Sequence, residues 1–140
     1  MADTTPTSTI TLQGARKALD AALAKAAAMG KVFCITVADP SGEPVASARM
    51  DGAPRISAGI AANKAYTVAG FGGMPTDRWW GAIKDEPSLV HGIPHTPRLI
   101  VFGGGVPILA GGALVGTIGV SGGSAEDDTE VASAGANALA

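Results

Sequence analysis

The chain has one cysteine, two histidines and six aromatic residues among 140. Each scarcity removes a class of function. A single thiol, Cys34, cannot form an internal disulfide, and it fits a reducing compartment. Inside the β-branched stretch Val32–Ala38 it reads as a small buried hydrophobe rather than a nucleophile. Three Phe, two Trp and one Tyr leave almost no surface on which bases could stack. There is no basic run either, and the net charge is −2, so nucleic acid is not expected as a partner. The N-terminal MADTTPTSTI has no basic segment followed by an apolar one, so no secretory signal is expected, and the expected location is the cytoplasm. Also absent are GxSxG, HExxH, paired CxxC, P-loop and EF-hand signatures.

Glycine and small apolar residues are abundant instead. The run LIVFGGGVPILAGGALVGTIGVSGG, residues 99–123, is the most apolar part of the chain. Its glycines and Pro107 interrupt it too often for a transmembrane helix, so no membrane partner is expected. It reads as a β-hairpin with strands at Leu99–Phe102 and Ala113–Val120, joined by a wide glycine-lined connection. Glycines there allow positive φ or close approach of a ligand, a helix or another subunit. Few large side chains remain for a core, which favours a homo-oligomer.

The length predicts one domain over residues 11–140 behind a loose Thr/Ser-rich tail, residues 1–10. Apolar residues at helical spacing from Leu12 to Ala26, between Thr11 as N-cap and Gly30 as terminator, predict a helix over 12–29. Asp39-Pro40-Ser41-Gly42 predicts the turn of a hairpin over 32–50. Ser57 is positioned to cap a helix over 58–70, and a short helix carries Trp79, Trp80 and Ile83. Residues 84–97 read as a loop with both histidines. Ser124, followed by Glu126, Asp127 and Asp128, opens a last helix over 125–139, where the carboxylates suit the helix dipole. Hairpins and grouped helices in this order predict an α+β domain on an antiparallel sheet.

Four groups carry candidate chemistry. His91 and His95 are four apart, but Gly92 and Pro94 oppose a helical metal-binding pair; a loop brings both imidazoles to one iron or zinc, or leaves them on the surface. Asp51 lies between Arg49 and Arg55, as a local cap or ion pair, or as part of an anion-binding corner in which Arg55 holds a carboxylate. Lys64 is the one charged residue between Arg55 and Asp77. It either snorkels to water or is buried with a lowered pKa as a base or carboxylate ligand. Gly104, Gly105 and Pro107 lie in a backbone wall that either a small ligand or a second subunit can approach.

The phrases VADPSGEPVASARMDGA (37–53), IAANKAYTVA (60–69), GGGVPI (103–108) and GTIGVSGGSAEDD (116–128) resemble the GlcG/HbpS-like haem-binding, or haem-degrading, domain family, which also supplies the C-terminal part of PduO-type proteins. The resemblance implies a profilin-like α/β/α sandwich with a five-stranded antiparallel sheet, assembled into oligomers. It implies haem as the candidate cofactor; the tract from Trp79 to Pro97 matches no family phrase, and on the haem reading its His91 or His95 is the natural axial ligand by residue chemistry. Asp51, Lys64, Gly104, Gly105, Pro107 and Asp128 match family positions, whereas Tyr66 stands where the family usually has Arg or another polar residue. Two other readings stay open. One is a cofactor-free catabolic lyase, isomerase or hydrolase acting on a small organic acid through Lys64, Asp51, Arg55 and His95. The other is an oligomeric sensory or assembly module without chemistry.

Overall fold

A computed structural model describes residues 2–139. The chain runs α1 (Leu12–Ala28), β1 (Cys34–Ala38), β2 (Pro44–Arg49), α2 (Ser57–Gly70), α3 (Trp79–Ile83), α4 (Pro87–Gly92), β3 (Gly105–Ala110), β4 (Ala113–Ser121) and α5 (Ala125–Ala136), with 3-10 turns at Thr76–Arg78, Ile93–His95 and Asn137–Leu139. The sheet is antiparallel in the order β2-β1-β4-β3.

Two faces of unlike chemistry give the sheet its layers. Ile35 and Val37 of β1, Ile108 of β3, and Ile118 and Val120 of β4 form the main core with Ala15, Ala18, Ala22 and Ala26 of α1 and Val131 and Ala132 of α5. The alternate residues Cys34, Thr36, Thr117, Gly119 and Ser121 are small or polar and face α2. Strand alternation thus places α1 and α5 on one side and α2 on the other. Cys34 is 1% exposed, and burial pushes its thiol pKa up, as suits a small packed hydrophobe.

Local signals account for the helix ends. Thr11 caps α1 through its Oγ1, which accepts from the Gly14 N–H at 3.0 Å. Ser124 caps α5, its Oγ accepting from the Asp127 N–H at 3.1 Å. Ser124→Ala is expected to lower stability by about 1 kcal/mol in a denaturant titration, and an unchanged midpoint would show the cap to be idle. The C-terminal end of β1 turns on Asp39, whose Oδ1 accepts from Ser41 and Glu43 N–H groups.

Several expectations need correction. The sheet has four strands among the described residues, not five. Leu99–Phe102 is not a strand: it crosses α2, and the Ile100 N–H donates to Thr67 Oγ1 rather than to a strand partner. The second strand of the glycine hairpin pairs instead with Gly105–Ala110, and the connection is tight rather than wide. Gly111 (φ 57°) and Gly112 (φ 80°) are its two central residues, both in the left-handed region that a two-residue hairpin of this twist requires. Ser57 lies inside α2, whose N-cap is Ile56 without a side-chain bond. The histidine stretch is largely helical, folded as α4 and a 3-10 turn over a small second core of Trp79, Ile83 and Ile93. Ile10, in the stretch read as a tail, is 7% exposed, and its N–H donates to Val115 O at 2.7 Å.

Candidate functional site

The site begins with the closeness of α2 to β4. Alanines on the inner face of α2 and glycines on β4 let the two backbones nearly touch. A Cβ on Gly119 would overlap the Ala61 carbonyl oxygen and lie 2.7 Å from the Ala65 nitrogen. Thr117 Oγ1 donates to Ala65 O at 2.9 Å and ties the pair together. At this separation Lys64 cannot reach water past the sheet, and it is fully buried.

The buried ammonium is met by three groups. Nζ donates to Val120 O and to Asp128 Oδ2, each at 2.8 Å, and lies 5.1 Å from the centre of the Phe102 ring. Asp128 is 3% exposed, and its other oxygen, Oδ1, accepts from the Gly123 N–H at 3.0 Å. Burial pushes the Lys64 pKa below the ordinary lysine range, and the bond and charge of Asp128 pull it back only in part. The pair links α2 to α5 across the end of β4.

Gly103, Gly104 and Gly105 close over this pair. A Cβ on Gly104 (φ 126°) would lie 2.5 Å from Lys64 Nζ and 2.5 Å from Val120 O. The Gly105 N–H donates to Thr76 Oγ1 at 2.9 Å, and the Gly104 carbonyl accepts from the Val120 N–H at 2.8 Å. The glycine run therefore extends the β3–β4 ladder while leaving room for the ammonium beneath it.

On the outer side of Phe102 a cleft of about 650 Å³ opens between α3 and the first turns of α5. Trp80 and Phe102, 58% and 50% exposed, form its aromatic walls, with Gly103 and Thr129 beside them. Asp77, Glu126 and Glu130 also line it, Glu130 being paired with Lys25 at 3.1 Å. A volume of this size with mostly apolar walls suits one small organic molecule. Exposed aromatics flanking it favour a flat or apolar ligand body.

The structure gathers some of the expected residues and leaves others apart. Lys64, Gly104 and Gly105 meet at one point, and Pro107 is half-buried in β3. Asp51 and Arg55 are exposed in the segment between β2 and α2, and neither contacts the Lys64 ammonium. His91 and His95 are exposed on α4 and the turn after it, and neither lines the cleft. Among the described residues no cluster of three or more His, Cys, Asp or Glu could hold a metal ion. The residues that sequence reasoning missed are Trp80, Phe102 and Asp128 as the partner of Lys64. A signal for Asp128 was available: it is spaced with Val131, Ala132 and Gly135 at i, i+3, i+4 and i+7, the buried stripe of α5.

The layers and the cleft define an α+β domain with an antiparallel sheet between helices and room for one small ligand. The profile of a family described as "Haem degrading protein HbpS-like" matches residues 10–137, and the chain belongs to that family. Over 122 residues it is 37% identical to an uncharacterised 15.0 kDa protein in the dhaT-dhaS intergenic region of Citrobacter freundii, covering 86% of this chain and 84% of that one. The crystal structure of Klebsiella pneumoniae protein ORFY superposes with a TM-score of 0.90 at 30% identity, over 99% of this chain and 96% of the other. A PduOC:heme complex shares the fold, with a TM-score of 0.85 at 24% identity over 94% of this chain and 95% of that one. No helix among the described residues is long and apolar enough to cross a membrane.

Proposed function

We propose that this protein binds haem or a related tetrapyrrole in the cleft beside Phe102. The carrying observation is the pair of half-exposed aromatic rings, Trp80 and Phe102, that wall a mostly apolar cleft. Exposed aromatics are costly to leave in water, and a flat macrocycle would cover both. The family's description as haem-degrading and the haem held by the PduOC neighbour support the same ligand class.

The residues present fit the macrocycle and not its metal. Among the described residues no His, Cys, Met or Tyr lines the cleft, so these offer no usual axial donor for haem iron. His91 and His95, exposed outside it, are the imidazoles left for that role. Carboxylates at Asp77, Glu126 and Glu130 would repel acid groups of the ligand, so the apolar edge enters and the acid edge faces out. The protein's own part is therefore to stack against the ring and exclude water from one face of it. Lys64 is withheld from the ligand by Phe102 and committed to Asp128, which leaves no free base for a catabolic reaction at that point. The scarcity of large core side chains supports a homo-oligomer, which sedimentation would reveal.

Haemin titration tests the assignment. Saturable quenching of tryptophan fluorescence with a shifted Soret band is the expected result, and Trp80→Ala should weaken binding by roughly tenfold. A spectrum identical to that of haemin in buffer would overturn the reading. His91→Ala with His95→Ala should move the Soret maximum if either imidazole ligates the iron.

A further inference from the structure

We propose that Arg98 is a carboxylate-recognition site, held in position ahead of its ligand. Arg98 has φ 68°, and it is the one non-glycine residue with positive φ among the described residues. Such a backbone is unfavourable for a long side chain and persists only where surrounding contacts over-determine it. Here three contacts of Arg98, and one of its neighbour Ile100, do so. The guanidinium lies over the Tyr66 ring, 3.9 Å from its centre. Its Nε donates to Asn63 Oδ1 at 3.0 Å. The Arg98 carbonyl lies 3.2 Å from Thr67 Oγ1, whose one proton it shares with the nearer Asn63 O at 2.8 Å, and the same hydroxyl accepts from the Ile100 N–H at 3.0 Å, which fixes the chain just after Arg98.

These contacts use one flat face and one N–H of the guanidinium, and no hydrogen bond from its Nη edge is made to any of the described residues. Arg98 is exposed, and no carboxylate among the described residues lies within ion-pairing distance of it. A stacked arginine with its paired Nη donors free is the geometry that receives a carboxylate by two parallel hydrogen bonds. An ordinary surface arginine would be mobile and would not hold a left-handed backbone to present that edge.

The place of Arg98 in the chain names the source of the carboxylate. Four residues on, Phe102 walls the aromatic cleft, and four residues span at most about 14 Å. Among the described residues the cleft is lined by three carboxylates and no cation, and Lys25 at its edge is committed to Glu130, so an acid-bearing ligand needs a further cation beyond the rim. For this source the inference rests on the tetrapyrrole reading above. A carboxylate on a second copy of the chain is the other source of the same chemistry.

The test compares protoporphyrin IX with its dimethyl ester, in the same dilute detergent, against wild type, Arg98→Gln and Arg98→Lys. Tryptophan quenching reads binding and light scattering reads mass. Both variants should weaken the diacid about tenfold and leave the ester unchanged. A drop in mass with unaltered porphyrin binding would instead assign the carboxylate to a second copy, still through Arg98. Unchanged diacid binding and unchanged mass in both variants would overturn the proposal. If wild type binds neither porphyrin, the tetrapyrrole reading has failed and the mass comparison alone decides for Arg98. Arg98→Gly, which suits the left-handed backbone, guards against misfolding: it should melt like wild type and lose binding like Arg98→Gln.

Discussion

Lys64→Met is expected to cost about 3–5 kcal/mol, because it leaves Asp128 buried with no counter-charge. The carboxylate is 3% exposed and would keep only the Gly123 N–H as a partner. For a domain of this size the loss corresponds to a fall in melting temperature of roughly 10 °C or more. Asp128→Leu should cost a similar amount, since it strands the ammonium. The double variant Lys64→Met/Asp128→Leu should recover much of the loss, because two apolar side chains of similar volume avoid desolvating two charges. Calorimetry on the four proteins gives the coupling directly. If the two single losses simply add in the double variant, the pair is not the staple described here. Porphyrin binding should survive in the double variant, since Lys64 faces the ligand only through Phe102.

Two glycine-to-alanine changes near or in α2 should move stability in opposite directions. Gly119→Ala places a methyl group inside the space of the Ala61 carbonyl and 2.7 Å from the Ala65 nitrogen. Backbone cannot rotate away as a side chain does, so α2 would have to lift off the sheet. A loss of about 3 kcal/mol or more is expected, at the upper end of overpacking effects. The loosening would reach the site, since the same helix carries Lys64. Gly59→Ala has open space around the added methyl, within the helix itself. It should raise stability by about 0.5–1 kcal/mol through helix propensity alone. Denaturant midpoints with unchanged slopes would check both signs. A tolerated Gly119→Ala would mean that helix and strand are not in backbone contact.

Prediction from sequence succeeded where the cause is local. The Thr11 cap and the alanine stripe of α1 act over neighbouring turns, as do the Asp39–Gly42 turn and the Ser124 cap. It failed at Leu99–Phe102, where a β-branched run satisfies its backbone on Thr67 rather than on a strand. It failed again at residues 84–97, where proline and glycine suggested a loop. There Pro87 occupies the first turn of α4, a position that tolerates its missing N–H.

The glycine hairpin shows the same division. Residues 99–123 by themselves marked Ala113–Val120 as a strand of a glycine-turned hairpin, while its partner, expected at Leu99–Phe102, forms at Gly105–Ala110. Together with the other quoted phrases they carried the family resemblance. They did not say which glycines turn the chain and which make room. Gly111 and Gly112 turn it by their positive φ, a local property. Gly104 and Gly119 are required by what lies opposite, Lys64 and α2, and only tertiary packing supplies that neighbour. Asp128 is likewise an ordinary helix-opening carboxylate in sequence, and it becomes the partner of a lysine 64 positions away once α2 and α5 meet at the end of β4. Arg98 reads as one more surface charge until its backbone angle and its stacking on Tyr66 are seen. Pairing across such separations depends on how the layers close, and no local signal encodes it.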